Sequence, residues 1–157
     1  MAVKPIPAGS HSVAPYVIVD GARKAIEFYK KAFNATEKMT MPGPGDTIMH
    51  AAITIGDSIV YLTDSNEQWG AKSAKSLGGS PISLHLYVTN VDATFKQAIA
   101  AGAKEKAPVA DMFWGDRYGK LVDPFGIEWG IATRTKDMTP AEMQSAGEQF
   151  MAQMAKQ

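Results

Sequence analysis

The sequence contains the same order of predicted elements twice: a strand, a helix and three further strands. The first copy occupies residues 12–64 and the second occupies residues 82–134. The segments VIVDGARKAIEFYKKAFNA and LYVTNVDATFKQAIAAGA align the first strand and helix of the two copies. Such self-similarity indicates one supersecondary unit used twice. One face of each unit's sheet is left open, so we expect two paired units to close a curved sheet around a cavity.

Apolar periodicity supports this assignment. Residues 22–34 carry one apolar stripe at helical spacing, with Asp20 as the predicted N-cap. Gly56-Asp57 predicts a two-residue hairpin turn between two strands. In the second copy, a helix over 92–101 is predicted to end at Gly102. The four residues Asp123-Pro124-Phe125-Gly126 have the composition of a tight turn before the last strand.

Two further segments complete the chain. Residues 65–81 form a polar connector, in which Trp69 is predicted either to anchor the loop or to act as a lid. A C-terminal helix is predicted in 137–157, beginning with a capping box at Thr139 and Glu142. Its apolar stripe is expected to pack on the body or on a second subunit. The predicted fold class is α+β, with two paired βαβββ modules forming a curved mixed sheet around a cavity, plus a C-terminal helix, all in a single domain.

Composition excludes several partners. Sixteen basic and sixteen acidic residues cancel, so neither nucleic acid nor a membrane surface is an expected partner. The sequence contains no run of eighteen apolar residues and no apolar signal segment at the N-terminus. The absence of Cys excludes disulfides and thiol chemistry and fits a cytoplasmic location.

Three segments together resemble the vicinal oxygen chelate superfamily, the group of glyoxalase, bleomycin-resistance and extradiol dioxygenase proteins. They are VDGARKAIEFY, LHLYVTNVDATFKQAIAAGA and WGDRYGKLVDPFGIEWGIAT. The segments FWGDRYG and MTPAEM resemble those of the PhnB-like branch. The resemblance covers about residues 12–145 and implies a paired βαβββ fold and a homodimer. In metal-using members, a divalent ion binds to ligands from the first and last strands of each copy.

This sequence lacks the usual ligands at the positions that the resemblance indicates for the metal site. The four ligand positions fall near Ala14, on Tyr61, near Ser83 and on Gly130. None of these is a usual ligand, because divalent metals prefer several His nitrogens or carboxylate oxygens at once. We therefore predict no cofactor. A divalent metal is expected only through a non-standard site.

Strand alternation predicts which side chains line the cavity. If Ser83 and Gly130 face inward, the apolar Leu84, Trp129 and Ile131 lie on the opposite face, as a helix-covered face requires. The candidate ligand-binding residues are then Tyr16, Tyr61, Ser83 and Tyr87, with Trp114 and Arg117 nearby, and the candidate acid-base residues are His50, His85 and Glu128.

Each candidate also has a structural interpretation. Glu128 is an expected ion-pair partner of Arg134 or Arg117, while Arg117 is expected to pair with Asp116 or Asp123 if it does not hold a ligand. Three functions remain open. The chain binds a small molecule in the sheet cavity, or it is an isomerase- or lyase-type enzyme using His50, His85 and Glu128 as acid-base or metal groups, or it is a structural dimer with a vestigial cavity.

Overall fold

The computed structural model describes residues 3–7 and 9–156. In the first module the elements are β1 (Tyr16–Val19), α1 (Ala22–Phe33), β2 (Thr36–Pro42), β3 (Ile48–Ile55) and β4 (Ser58–Asp64). In the second they are β5 (Ser83–Tyr87), α2 (Val91–Ala101), β6 (Lys104–Asp111), β7 (Asp116–Val122) and β8 (Glu128–Arg134). A short 3₁₀ turn (Glu67–Trp69) lies in the connector, and α3 (Pro140–Met154) follows β8. The predicted C-terminal helix extends to residue 157, which lies outside the described residues.

The described strands form two mixed four-stranded sheets of the same topology, β1-β4-β3-β2 and β5-β8-β7-β6. In each sheet the first strand runs parallel to the last, and the remaining pairs are antiparallel. The predicted α+β class and the C-terminal helix are confirmed. Gly56 has a φ of +59°, and Ile55 pairs with Ser58, so the two-residue hairpin turn forms where it was expected.

One apolar core joins the two modules. Helix α1 packs against α2, and the Phe33 ring lies 4.5 Å from the Trp129 ring of the second sheet. Trp129 and Ile131 are buried, whereas Ser83, His85 and Tyr87 on the opposite face of the same sheet are exposed. The alternation therefore follows the predicted parity, with the helices on the apolar face.

The turn at residues 123–126 ties this core together. Gly126 donates its backbone N–H to the Asp123 carbonyl at 3.1 Å, and the φ of Gly126 is +87°. The buried Asp123 carboxylate accepts hydrogen bonds from the Tyr29 hydroxyl at 2.8 Å and from Trp129 Nε1 at 3.0 Å. It also accepts two backbone N–H groups of the turn. Because Tyr29 belongs to α1, this one carboxylate links the first module to the second.

The predicted cap of α1 is wrong. Gly21 occupies the N-cap position without a side-chain cap, and its N–H and that of Ala22 donate to Asp64 Oδ1 at 2.7 and 3.0 Å. Asp64 ends β4, the parallel neighbour of β1, and therefore lies beside the start of the helix. Asp20 instead accepts the hydroxyls of Ser65 and Ser73 and holds the connector. Asn90 caps α2, and the capping box at Thr139 is confirmed.

Candidate functional site

The registers of the two sheets identify equivalent positions in the modules. Tyr16 lies directly across from Tyr61 in the first sheet, and His85 lies across from Gly130 in the second. Both Tyr16 and His85 stand two residues after the positions that the resemblance indicated, Ala14 and Ser83. One strand further along, Ala52 faces Tyr61 and Lys120 faces Gly130. His50 and Tyr118, each two residues earlier, are therefore equivalent to each other.

The first sheet carries a cluster of three rings, which we call the first cluster: Tyr16, His50 and Tyr61. The Tyr16 hydroxyl and His50 Nδ1 are hydrogen bonded at 2.9 Å. The ring centroids are 5.6 Å apart for Tyr16 and His50 and 5.3 Å apart for His50 and Tyr61. Met39 and Met41 pair with Ala52 and His50 and extend the same face with exposed thioethers. Tyr16 itself is 51% exposed, so its ring is available to a ligand.

The second sheet carries the second cluster: His85, Tyr87, Trp114 and Tyr118. His85 stacks on Tyr118 with centroids 5.6 Å apart and planes at 10°. Tyr87 lies 4.7 Å from His85, and Trp114 meets the Tyr118 ring edge-on at 5.8 Å. Burial, with the charge of Glu128 as a smaller cause, raises the pKa of Tyr118. This cluster also leaves an open ring surface, since Tyr87 is 57% exposed.

A buried carboxylate orients the second cluster. Asp116 Oδ2 accepts hydrogen bonds from the Tyr87 hydroxyl at 2.9 Å and from Trp114 Nε1 at 3.1 Å. The hydrogen bond to Asp116 raises the pKa of Tyr87, which keeps the phenol protonated. Because both donors are committed to Asp116, Tyr87 and Trp114 present mainly their ring surfaces.

Each module therefore pairs one imidazole with one phenol, but the two residue types exchange places. The first-strand position holds Tyr16 in one module and His85 in the other, and the third-strand position holds His50 and Tyr118. The exchange preserves the chemistry of the pair, which is a planar base beside a planar hydroxyl donor. Tyr118 is not among the residues predicted from the sequence, although extending the strand alternation to residues 117–122 would have placed it on the cavity face.

The residues at the superfamily's metal position do not suit a divalent ion. A side chain at Gly130 would meet the Tyr118 ring at 2.7 Å, so Tyr118 fills the space where a carboxylate ligand would stand. Tyr16 lies across from the equivalent Tyr61, and His85 lies across from Gly130, so these four facing positions supply two phenols and one imidazole. Within residues 3–7 and 9–156, no group of three His, Cys, Asp or Glu residues is arranged to hold a metal.

The three candidate acid-base residues lie in different surroundings. His50 belongs to the first cluster and His85 to the second. Glu128 forms an ion pair with Lys106, which corrects the expected partners Arg134 and Arg117. Ser83 lies across from Glu128 and is exposed. The arrangement brings an imidazole and a phenol together in each module, but it does not bring His50, His85 and Glu128 to one metal centre.

Arg117 has other partners than the sequence suggested. Its guanidinium donates to both carboxylate oxygens of Asp92 at 2.7 and 2.8 Å, and to Asp111 at 3.2 Å. These two carboxylates raise the pKa of Arg117. The expected partners Asp116 and Asp123 are buried and accept other donors. Arg117 therefore makes a bidentate structural contact between α2 and β7.

A sequence model described as the Glyoxalase/Bleomycin resistance protein/Dioxygenase superfamily matches residues 10–131, well over half of the chain. The chain belongs to this superfamily. Tyr61 and Gly130, which stand where the resemblance indicated metal ligands, are not usual ligands of a divalent ion. No helix of the described part is long and apolar enough to cross a membrane.

Individual relatives and solved structures are similar to most of the chain. The protein Mb0911c of Mycobacterium bovis is 43% identical over 138 residues, which cover 86% of this chain and 91% of the relative. The solved product of the Arabidopsis thaliana gene At5g48480 is 26% identical, with a TM-score of 0.65 over 78% of this chain and 98% of that one. A Bacillus cereus PhnB protein, described as a putative 3-demethylubiquinone-9 3-methyltransferase, is 20% identical with a TM-score of 0.60 over 78% and 99%. At that identity the likeness concerns the fold alone.

Proposed function

We propose that this superfamily member, of the PhnB-like branch, binds a small, planar, uncharged organic molecule against its ring clusters without a metal. The observation that carries the proposal is the imidazole–phenol pair at equivalent positions of both sheets, together with one exposed aromatic ring in each cluster, Tyr16 in the first and Tyr87 in the second. Flat ligands gain from offset stacking on such rings beyond the apolar area they bury. The two clusters offer mainly ring surfaces, with Lys120 exposed beside the second cluster.

The polar groups around the rings support the choice of an uncharged ligand. Glu128 is paired with Lys106, and Asp116 is engaged by two donors. A cationic ligand would need acidic side chains that are not already paired, which these contacts do not provide. Since Tyr16 binds His50 Nδ1, the other ring nitrogen of His50 remains for a ligand hydroxyl or carbonyl. Met39 and Met41 supply an adaptable apolar margin.

Binding of 2-naphthol, a planar phenol, tests the proposal. We expect ligand-detected NMR to show binding of 2-naphthol and none of decahydro-2-naphthol, which has the same skeleton but no flat ring. Tyr61→Ala should weaken 2-naphthol binding by about tenfold, because one stacking surface is lost. Trp69→Ala is the matched control: Trp69 is an exposed aromatic residue outside both clusters, and its removal should change nothing. Equal binding of both naphthols, or equal effects of the two variants, would refute stacking on the first cluster.

One contact favours a second candidate, a proton-transferring enzyme of the isomerase or lyase type. The Tyr16 hydroxyl and His50 Nδ1 are hydrogen bonded, which is the arrangement in which an imidazole acts as the base for a phenol that exchanges a proton with the substrate. In this version Tyr16 and His50 act together, while His85 and Glu128 take no direct part. Deuterium exchange of an enolisable ketone bound at the site distinguishes the candidates. An enzyme would exchange its α-proton and lose exchange on Tyr16→Phe, whereas a binding protein would show no exchange above solution.

We further propose that the chain acts as a cytoplasmic homodimer. Support comes from the apolar side chains that one chain leaves exposed, including Met39 and Met41 on the first sheet and Phe150 and Met151 on α3. A dimer with vestigial clusters, the third possibility, would bind neither naphthol while still associating.

A further inference from the structure

A separate cavity lies between the two sheets, beside the free edges of β1 and β5. Within the described residues, β1 is hydrogen bonded to β4 and β5 to β8, so each has one edge without a neighbouring strand. The connector crosses this gap. The cavity is half open to solvent and has a volume of about 210 Å³. Its walls come from both modules and from the connector, and they include Tyr16, Val17, Ala74, Leu77, Ile82 and Ile127.

The walls are suited to an apolar group. Val17, Ala74 and Ile127 are buried and form the floor. Leu77 and Ile82 are 60% and 68% exposed at the mouth, although each contributes a large apolar surface. An apolar cavity of about 150 Å³ is known to take up benzene, so this volume accommodates a short alkyl chain or a single ring. A ligand chain lying between Leu77 and Ile82 would remove their apolar surface from water.

One charge stands at this cavity. Lys72 is the single charged residue among the described residues that line it, and no acidic side chain joins it there. The other polar side chain of the connector in the lining, Ser80, is already engaged, since its hydroxyl donates to the Ile82 carbonyl at 2.7 Å. An anionic head group on the ligand is therefore favoured over a cationic one.

We propose that this cavity is a second binding site, which takes the apolar chain of a short- or medium-chain carboxylic acid with its carboxylate at Lys72. The site is distinct from the ring clusters, although Tyr16 borders both the cavity and the first cluster. Naphthol stacking and carboxylate binding therefore depend on different residues, apart from Tyr16.

Octanoate, octanol and octylamine are the probes, titrated into the full chain by calorimetry. We expect octanoate to bind more tightly than octanol and octylamine to bind most weakly. Lys72→Gln should weaken octanoate binding about two- to fivefold, in the range of an exposed ion pair, and leave octanol unchanged. Leu77→Ser should weaken both octanoate and octanol, and because Leu77 is already exposed this variant is expected to fold.

Two controls separate this inference from the proposed function. Lys75→Gln removes a nearby charge that does not line the cavity and should leave octanoate binding intact. Tyr61→Ala should weaken 2-naphthol but not octanoate, and Lys72→Gln should do the reverse. Equal affinities for octanoate and octylamine, or equal losses in Lys72→Gln and Lys75→Gln, would overturn the proposal. Loss of octanoate binding in Tyr61→Ala would mean that the ring cluster, and not this cavity, holds the chain.

Discussion

The absence of a side chain at one residue shapes the second cluster. Tyr118 lies over Gly130 and from there stacks on His85 and meets Trp114. Any residue larger than glycine at this place would displace the ring. The position at which the superfamily's metal-using members were expected to carry a ligand is thus used here to seat an aromatic ring.

Two alanine substitutions test this role. In Gly130→Ala the new methyl group meets only the outer part of the Tyr118 ring, which is half-exposed and can move aside. In Gly119→Ala it meets Phe95 and Val109 at 2.9 Å inside the core. We expect Gly119→Ala to lower the free energy of unfolding by about 2–3 kcal/mol and Gly130→Ala by about 1 kcal/mol or less. Urea unfolding measures both.

The same pair of variants separates the cluster from the core by fluorescence. Displacing Tyr118 changes the surroundings of Trp114, so the native emission of Gly130→Ala should shift while that of Gly119→Ala, once folded, should not. If Gly130→Ala proves as destabilising as Gly119→Ala, Tyr118 is fixed and the account of an adaptable ring surface fails.

At the scale of elements, the corner between β7 and β8 connects the modules through Asp123. The carboxylate accepts four donors, one of them from α1, while burial raises its pKa above the ordinary value of 3.8. Asp123→Asn places an amide against four donors with one acceptor oxygen. We expect this variant to lose about 2–4 kcal/mol of unfolding free energy.

The pH dependence of that loss has a defined sign. A raised pKa means that the folded chain holds the proton to a higher pH than the unfolded chain does. The contribution of Asp123 to the unfolding free energy therefore falls as the pH rises from 3.8 through the folded pKa. The difference between wild type and Asp123→Asn should narrow in urea unfolding as the pH rises above 3.8. A difference that widens over this range would mean that the four donors outweigh burial and lower the pKa.

The sequence predicts the elements better than it predicts the contacts between them. Periodicity located the helices and strands, and alternation separated Trp129 from Glu128, because these depend on neighbouring residues. Asp64, and not Asp20, accepts the first backbone N–H groups of α1, and Arg117 pairs with Asp92 and Asp111. Such partners depend on which strands become neighbours, and this topology is not encoded locally. Met39 is not among the predicted residues for a related reason. The register between β2 and β3 shifts between Glu37 and Met39, so alternation along β2 does not by itself predict which residues share a face with His50.

At the scale of the whole molecule, helix α3 is packed only loosely on the rest of the described chain. None of the described side chains of α3 is buried, and the helix contacts the body at Phe113, on which Phe150 stacks at 5.1 Å and beside which Gly147 lies. A helix of 15 residues is marginal by itself in water. Phe113 also meets Trp114 edge-on at 5.0 Å, so the apolar face of α3 continues into the second cluster. A second copy of the chain is the partner we propose for this face.

Variants on α3 test that association. We expect light scattering after size-exclusion chromatography to give the mass of a dimer for the wild-type chain at micromolar concentration. Phe150→Glu with Met151→Glu should shift the protein to monomer, because both changes place charge on the apolar face. Gln144→Glu and Gln153→Glu add the same charge at polar positions of the same helix and should leave the dimer intact. A monomeric wild type, or a dimer that survives the first pair of changes, would contradict the proposal.

The metal dependence of ligand binding shows whether the ring clusters recognise 2-naphthol without an ion. The chain is treated with EDTA and dialysed, and 2-naphthol is titrated by calorimetry without metal and with one equivalent of Zn²⁺ or Mn²⁺. Binding on the ring clusters requires no ion, so the Kd should agree within about twofold in all three titrations. Loss of binding in the chelated protein, restored by either metal, would contradict metal-free recognition by the imidazole–phenol pairs.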